Sequence, residues 1–245
     1  MTPDSFARRL IPRRHQASVR ALAYTLRAPF YLGTSVECVC CGGRFGRFAG
    51  SECPWCGAAP RQRQLLIYLQ TATDLFDRPY RLLHIAPERC LLRRFSTLPL
   101  VTYVSGDLSD SAMLRFDVTK LPFADGSFDA IICLHVLEHV EDDLSAMREF
   151  RRVLTPEGLA VLQVPIGGET TIEDPVTDPR ERLKRYGQED HVRLYGRDFE
   201  KRLVNAGFRV TRVNPADELS ETDRVRLGLH LGEPPLYACE ATVLR

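Results

Sequence analysis

Eight cysteines carry the clearest chemistry in this sequence of 245 residues, and four of them fall into two pairs. Cys38-x-x-Cys41 and Cys53-x-x-Cys56 each place two thiolates on one short turn, with eleven residues between the pairs. Two such turns can complete a tetrahedral site of four sulfurs, which suits zinc. Because four thiolates leave no open position, we expect a structural ion. Cys40 is expected to stay a free thiol, and disulfides are the alternative for the cluster.

Two acidic residues stand where they could bind a nucleotide. Asp107 follows a short apolar run at residues 101–104, and Asp117 lies directly before Val118. In a sheet of parallel strands, an acid just past the second strand can accept hydrogen bonds from both hydroxyls of a ribose. We assign that role to Asp107. Asp117 is placed to accept from the exocyclic amine of an adenine.

A third group of polar residues suits proton transfer and the binding of an acceptor substrate. In the segment QEDHVRLYG (residues 188–196) these side chains are Asp190, His191, Arg193 and Tyr195. A histidine titrates near neutral pH, so either His191 or His135 is predicted to take the acceptor's proton. The other three are predicted to bind substrate. The structural alternative is that Asp190 caps a helix, Arg193 pairs with it and Tyr195 packs.

The elements that must position these groups centre on residues 115–165. Residues 128–134 form an apolar run of the length of a buried parallel strand. Residues 142–154 have apolar side chains at a helical spacing, and Pro156 and Gly158 end that helix. A second apolar run follows at residues 159–164. This strand–helix–strand unit predicts a ligand site beyond the carboxyl ends of the strands, at residues 135–139.

The rest of the chain predicts further strand and helix units. Helices are expected at residues 62–75, 88–95 and 197–206, and strands at 81–86, 101–104, 208–213 and 236–244. Residues 167–188 and 214–234 are expected to be irregular, the former as a lid or binding loop. Gly207 is expected to cap the late helix. This order predicts a doubly wound α/β sheet with an antiparallel edge.

Two stretches carry a family resemblance. DVTKLPFADGSFDAIICLHVLEH and RRVLTPEGLAVLQVP resemble the D-x-x-x-LPF-x-x-x-SFD and RVLKPGG segments of class I S-adenosylmethionine-dependent methyltransferases. The resemblance covers about residues 80–213, and Glu157 replaces the first glycine of the second segment. It implies a Rossmann-like sheet of seven strands with the last strand antiparallel. It also implies Asp107 on the ribose, with Leu108 beside it, Asp117 with Val118 at the adenine, and Leu134 at the strand end.

The first loop departs from the family pattern. The family has acid-x-G-x-G, whereas this chain has His84-Ile85-Ala86-Pro87-Glu88. The HxAPE variant resembles a subgroup with a cysteine ribbon before the domain and a DHVRLYG segment after it. The resemblance implies that His84, Ala86 and Glu88 line the methionine end of the cofactor. Glu88 would accept from the amino group. A dinucleotide-dependent dehydrogenase is disfavoured because no G-x-G-x-x-G occurs.

Charge is unevenly distributed along the chain. Residues 1–63 hold ten arginines and three acidic residues, a balance of +7, so the remainder carries −6 of a net +1. We predict a basic helical arm at residues 1–35, a zinc ribbon at 36–60 and a methyltransferase domain at 61–245. The arm is expected to contact a membrane surface, RNA or the acceptor site, or else to pack on the protein itself. No apolar run approaches the roughly 20 residues of a membrane span, and we expect a cytoplasmic protein.

The predicted function is methyl transfer from S-adenosylmethionine to a small molecule, a sugar or natural-product intermediate, at oxygen. One alternative is an RNA methyltransferase, in which the arm and the arginines of the ribbon, Arg44, Arg47, Arg61 and Arg63, grip phosphates. Another is a non-catalytic subunit that binds the cofactor and serves a partner. The sequence predicts no oligomeric state.

Overall fold

A computed structural model of the protein describes residues 22–24, 26–109 and 112–241. These residues form two compact units. The amino-terminal unit comprises the described residues up to Tyr68 together with Pro215–Glu233, and the sheet unit comprises Leu69–Asn214 with the described residues from Pro234 onward. Most of the predicted basic arm, residues 1–21 and 25, lies outside the described residues.

The elements follow one another as strand and helix units. The helices are α1 Pro60–Ala72, α2 Arg89–Phe95, α3 Asp143–Val153, α4 Pro179–Tyr186, α5 Phe199–Asn205 and α6 Glu221–Leu227. The strands are β1 Val36–Cys38, β2 Gly43–Phe45, β3 Tyr80–Ile85, β4 Val101–Asp107, β5 Leu114–Arg115, β6 Phe128–Leu134, β7 Leu154–Gln163, β8 Arg209–Val213 and β9 Leu236–Glu240. Short 3₁₀ turns occupy Ala28–Tyr31, Leu137–His139 and Pro215–Glu218.

Seven strands form one sheet in the order β5-β4-β3-β6-β7-β9-β8. The first five pair in parallel, and β9 is antiparallel to both β7 and β8. The predicted Rossmann-like α/β sheet with an antiparallel last strand is therefore confirmed. In this order β3 and β6 are neighbours at the centre, so their carboxyl ends lie side by side.

The central unit folds as its residue pattern requires. Strand β6 is buried along almost its whole length, which explains its continuous apolar run. At the start of α3 the Asp142 carboxylate accepts a hydrogen bond from Ser145 N at 2.9 Å. Met147 and Phe150 are fully buried and belong to the sheet unit's core cluster. The pattern thus fixes both the strand and the helix that flank the predicted ligand site.

Two segments expected to be irregular contain helices. In α4, Asp178 accepts from Arg180 N, Pro179 is the first residue, and Gly187 ends the helix at φ +86°. In α6, Ser220 accepts from Asp223 N, and Gly228 ends the helix at φ +64°. Both helices are rich in charged residues and lack the apolar spacing that predicts a helix. The prediction of two irregular segments was wrong for this reason.

The amino-terminal unit is held by a buried arginine. Arg63 is fully buried and donates hydrogen bonds to the carbonyls of Ala58, Leu227 and Gly228. Its guanidinium lies 4.2 Å from the centre of the Phe48 ring. Arg63 therefore cannot clamp a nucleic acid, and its place in the predicted phosphate-binding group was wrong. It joins the ribbon segment to residues 215–233, an association that nothing in the sequence indicated.

The carboxyl-terminal end of the predicted basic arm contacts the ribbon segment. Arg27 donates hydrogen bonds to the carbonyls of Cys53 and Pro54, each at 3.2 Å, and the Tyr24 hydroxyl donates to Glu52 at 3.0 Å. These contacts lie within the amino-terminal unit. The described part of the arm therefore packs on the protein itself.

Candidate active site

A cavity of about 620 Å³ opens in the sheet unit where β3, β4 and β6 end. Its volume is within the usual range of small-molecule sites, roughly 300–1,000 Å³. Its lining residues are Ile85, Ala86, Asp107, Leu108, Phe116, Asp117, Val118, Thr119, His135, Val136, His139, Val140, Glu141, Asp142 and Asp190. The cavity thus lies at the sheet edge where the sequence predicts a ligand.

The cavity brings together most of the predicted cofactor residues. Those that line it are Ala86, Asp107, Leu108, Asp117 and Val118, accompanied by His135 and Asp190. His84, Glu88 and Leu134 are not among the lining residues. Val136 and His139 also line the cavity and lie within the predicted 135–139 loop. Sequence reasoning did not single out residues 140–142, whose signal was their position directly beyond that loop.

Two lining residues have a left-handed backbone. Ala86 has φ +45° and His135 has φ +54°, and each directly follows a central strand. This conformation costs a non-glycine residue about 1–3 kcal/mol. Backbone hydrogen bonds of 2.8 Å hold both residues, from Ala86 N to Gly106 O and from His135 N to Gln163 O. The chain therefore turns sharply after β3 although the glycines of the family pattern are absent.

Short turns hold the two nucleotide-binding candidates at the cavity. The Asp107 carboxylate accepts from Ser109 N at 3.3 Å and Ser109 Oγ at 3.0 Å. The Asp117 carboxylate accepts from Thr119 N and Thr119 Oγ1, both at 2.8 Å. Such turns fix the orientation of an aspartate. Both carboxylates are thus positioned before any ligand arrives.

A buried polar chain supports Glu88 from behind the cavity. His84 is fully buried, with Nε2 at 3.2 Å from Glu88 Oε2 and Nδ1 at 3.0 Å from the Tyr103 hydroxyl. Because an ionised carboxylate only accepts, Nε2 of His84 carries the proton and Nδ1 accepts from Tyr103. Burial raises the pKa of Tyr103 above its ordinary value, so the phenol stays a donor. His84 is therefore a support for Glu88.

The cavity wall is negatively charged. Five carboxylates line it, those of Asp107, Asp117, Glu141, Asp142 and Asp190, and its described lining includes no lysine or arginine. Such a wall favours a cation and disfavours a phosphate. It fits S-adenosylmethionine, whose sulfonium and ammonium groups are positive.

Arg193 and Tyr195 lie inside the protein and hold the turn after β6. Arg193 donates to Leu137 O at 3.0 Å and Glu141 O at 2.8 Å. The Tyr195 hydroxyl donates to Asp143 Oδ2 at 2.6 Å, and burial together with the charge of Asp143 raises the pKa of Tyr195. Neither side chain lines the cavity. Their contact with substrate stays a prediction, and these bonds give them a structural role.

His191 is also buried behind the cavity wall. Its Nδ1 lies 2.9 Å from Tyr186 O, and its Nε2 has no hydrogen-bond partner among the described residues. It does not line the cavity, whereas His135 does. Of the two predicted proton acceptors, His135 is therefore the one that lines the cavity.

The four paired cysteines converge in the amino-terminal unit. Their sulfurs lie within 4.8 Å of one another, with Cys38 Sγ–Cys56 Sγ and Cys41 Sγ–Cys53 Sγ both at 3.7 Å. Sulfurs bound tetrahedrally at about 2.3 Å from a zinc ion would be about 3.8 Å apart. None of the eight cysteines forms a disulfide, and Cys40 is buried outside the group of four.

The two cysteine turns have matching backbones. Gly42 N donates to Cys38 O at 2.7 Å, and Gly57 N donates to Cys53 O at 3.0 Å. Both glycines have positive φ, +70° and +76°, which a residue with a Cβ rarely adopts. Each turn presents two sulfurs on the same side, as a shared ion requires.

Among the described residues, no helix is both long enough and apolar enough to cross a membrane.

Comparison with known proteins finds a family match for the central part of the chain. Residues 96–162 match the family described as methyltransferase domain. A 37.1 kDa protein in transposon TN4556 of Streptomyces fradiae is 34% identical over 125 residues, which are 50% of this chain and 33% of that protein. A methyltransferase of Mycobacterium sp. strain KMS is 44% identical over 63 residues, 24% of this chain and 25% of that one. The chain thus spans a third or less of these curated relatives.

Comparison with solved structures gives a partial alignment. The YcgJ protein of Bacillus subtilis aligns with 73% of this chain and 95% of its own, at 20% identity and a TM-score of 0.48.

Proposed function

We propose that this chain, which carries a class I S-adenosylmethionine-dependent methyltransferase domain, transfers a methyl group to a hydroxyl of a small-molecule acceptor. The observation that carries the proposal is the single cavity lined by Asp107, Asp117 and His135. It combines two nucleotide-binding carboxylates with a histidine at the ends of adjacent central strands. Bound S-adenosylmethionine would supply a methyl group activated by its sulfonium.

The chain's own residues account for each part of the cofactor. Asp107 accepts from the two ribose hydroxyls, and Asp117 with Val118 receives the adenine. The tight turn at Ala86 lets the backbone approach the methionine end. Glu88, held by His84, accepts from the amino group. The carboxylates of the wall favour the positive charge of the bound cofactor.

His135 is the proposed proton acceptor. Its side chain is 27% exposed at the cavity, and its Nδ1 lies 3.4 Å from Glu138 Oε1. A proton on Nδ1 leaves Nε2 as the acceptor for the hydroxyl proton. Alignment of acceptor and methyl group is the larger contribution to rate, because holding reactants in place can supply several kcal/mol, on the order of 7–11.

The charge of the cavity favours a small, uncharged or cationic acceptor over RNA. Five carboxylates line the cavity, and they would repel a phosphate backbone. An RNA substrate would also give binding that weakens steeply with salt, since each phosphate contact releases counterions. Salt-independent turnover of small hydroxylated acceptors, and weak RNA binding, are the expected results.

We also propose that the four paired cysteines hold a structural zinc ion. The distances between their sulfurs and the matching turns support it. A segment of this size has little core of its own, so the ion would supply much of its folding free energy. The ion is not part of the reaction because four thiolates complete its coordination.

Calorimetric titration with S-adenosylmethionine tests the methyl-donor claim. Replacing Asp107 by alanine removes two charge-assisted hydrogen bonds, each worth about 1.5–3 kcal/mol, so Kd should rise about 100-fold or more. Asp77→Ala, at an exposed position outside the cavity, is the matched control and should leave Kd unchanged. Absence of binding by the native protein would end the proposal. Binding without transfer to any hydroxylated acceptor would favour the non-catalytic subunit.

A further inference from the structure

A buried carboxylate, that of Glu138, lies behind the cavity. Glu138 is 1% exposed, and neither of its oxygens makes a hydrogen bond within the described residues. The nearest basic atom, His135 Nδ1, is 3.4 Å from Oε1 but is not aligned as a hydrogen bond. Burying an unpaired carboxylate costs several kcal/mol. A positive group next to the Glu138 carboxylate would therefore stabilise it.

Two histidines each have a possible ligand nitrogen close to this carboxylate. His191 is 2% exposed, its Nδ1 is bonded to Tyr186 O, and its Nε2 is buried without a partner. The Nδ1 of His139 lies 3.3 Å from Asp190 O. Because carbonyls only accept, both Nδ1 atoms carry protons and both Nε2 lone pairs are available. Metal-binding histidines are commonly held in this way, by a bond from the second nitrogen to a carbonyl.

We propose that Glu138, His139 and His191 bind a divalent transition-metal ion. One ligand atom from each lies within 4.8 Å of the other two. Neighbouring ligand atoms about 2.1 Å from a shared ion are about 3–3.4 Å apart, so closure needs the three atoms to draw together by up to about 1–2 Å. His139, with 34% of its side chain exposed, can make that shift. Two imidazoles and one carboxylate leave open positions and suit Mn²⁺, Fe²⁺, Co²⁺ or Zn²⁺.

The two chain segments that supply these ligands are fixed to each other. Val192 N donates to Glu138 O at 2.9 Å. Arg193 donates to the carbonyls of Leu137, Val140 and Glu141, which surround Glu138 and His139 in the chain. The QEDHVRLYG segment therefore supplies His191 as a ligand and, through Val192 and Arg193, holds the chain around Glu138 and His139.

The ion would face the acceptor. His135 and His139 line the cavity, so an ion held by His139 lies at its wall. The role in catalysis rests on the proposed methyl transfer. An acceptor hydroxyl on an open position of the ion has a lowered pKa. Its proton passes to His135, its oxygen bonds the methyl carbon, and the electron pair of the breaking C–S bond stays on sulfur.

Manganese binding tests the site independently of any acceptor. The zinc-loaded protein is titrated with Mn²⁺, and bound ion is followed by the loss of the free-ion electron paramagnetic resonance signal. Mn²⁺ prefers oxygen and imidazole ligands and should not displace zinc from four thiolates. We expect one Mn²⁺ per native chain. Glu138→Gln and His191→Ala should weaken binding by about 100-fold or more, since each removes a direct ligand.

Matched control variants show whether a loss of Mn²⁺ binding is specific to the proposed site. Glu157→Gln and His230→Ala remove an exposed carboxylate and an exposed imidazole elsewhere, and should keep native binding. His139→Ala, at a partly exposed position, tests the site if a buried substitution disturbs folding, which circular dichroism would show. The proposal is overturned if the native protein binds neither Mn²⁺ nor Co²⁺. It is also overturned if the Glu138, His139 and His191 variants all retain binding. Cofactor titration without metal is a separate test, so either proposal can fail alone.

Discussion

Substituting Gly106 by alanine places one methyl group against the wall of the cavity. A Cβ at Gly106 would lie 1.9 Å from Phe116 Cζ and 2.1 Å from Cε1. Carbon atoms in contact are about 3.5–4.0 Å apart, so the ring would have to move by about 1.5–2 Å. Phe116 packs edge-on against Phe123, with ring centres 5.5 Å apart, and lines the cavity. The ring can therefore move only by disturbing the core or entering the site.

The cost can be worked out from this overlap. Overpacking a core by a methyl group typically costs about 1–3 kcal/mol. Gly106 does not have a positive φ, so the backbone itself tolerates alanine and the cost is steric. Urea unfolding followed by far-ultraviolet circular dichroism should show a loss of this size. At roughly 2–4 °C per kcal/mol for a domain of this size, the melting temperature should fall by about 2–12 °C.

Two further variants check that reasoning. Gly168→Ala adds a methyl group where no atom lies within 4 Å, so stability should stay within about 0.5 kcal/mol of native. In a Phe116→Leu background, Gly106→Ala should cost less than it does alone, by at least about 1 kcal/mol. An unchanged stability for Gly106→Ala, or an equal cost in both backgrounds, would refute steric conflict with the ring.

The remaining predictions concern the thiolate cluster and acid stability. Cys53→Ser should abolish stoichiometric zinc binding, measured by plasma mass spectrometry. Cys40→Ser should retain the zinc, since Cys40 is outside the group of four. A full zinc content in the Cys53 variant would contradict the site. Hydrogen bonds from Arg202 lower the pKa of Glu173 below 4.5, so the ionised carboxylate stabilises the fold above that pH and the contribution is lost as pH falls through the lowered pKa. Glu173→Gln should therefore flatten the decline in stability below pH 4.5 relative to Glu157→Gln, and identical acid profiles would count against the ion pair.

The sheet and its ligand edge could be predicted because the signals are local. Strand β6 was predicted at residues 128–134, the bounds that the structure shows, because burial on both faces requires an unbroken apolar run. Asp107 was assigned to the ribose because it follows the second parallel strand, and Asp117 was assigned to the adenine. Both line the cavity, although their contacts with a cofactor stay predictions.

What escaped the sequence depends on contacts between distant residues. The sequence around Glu138 and around His191 does not indicate that the two residues are close. They lie on separate segments and come together only in the folded sheet unit. The pairing of Arg63 with Leu227 is of the same kind. Helix α4 escaped for a different reason. Its cap residues, Asp178 and Gly187, are recognisable in the sequence, but the helix is mostly charged and has no apolar residues repeating at the helical spacing.

Determination of a crystal structure with S-adenosylhomocysteine bound is the most direct measurement of the proposed function. It should show both ribose hydroxyls on the Asp107 carboxylate, the adenine beside Asp117, and the sulfur directed towards the part of the cavity lined by His135. A ligand bound elsewhere on the chain, or a ribose that does not reach Asp107, would contradict the assignment of this cavity as the methyl-donor site.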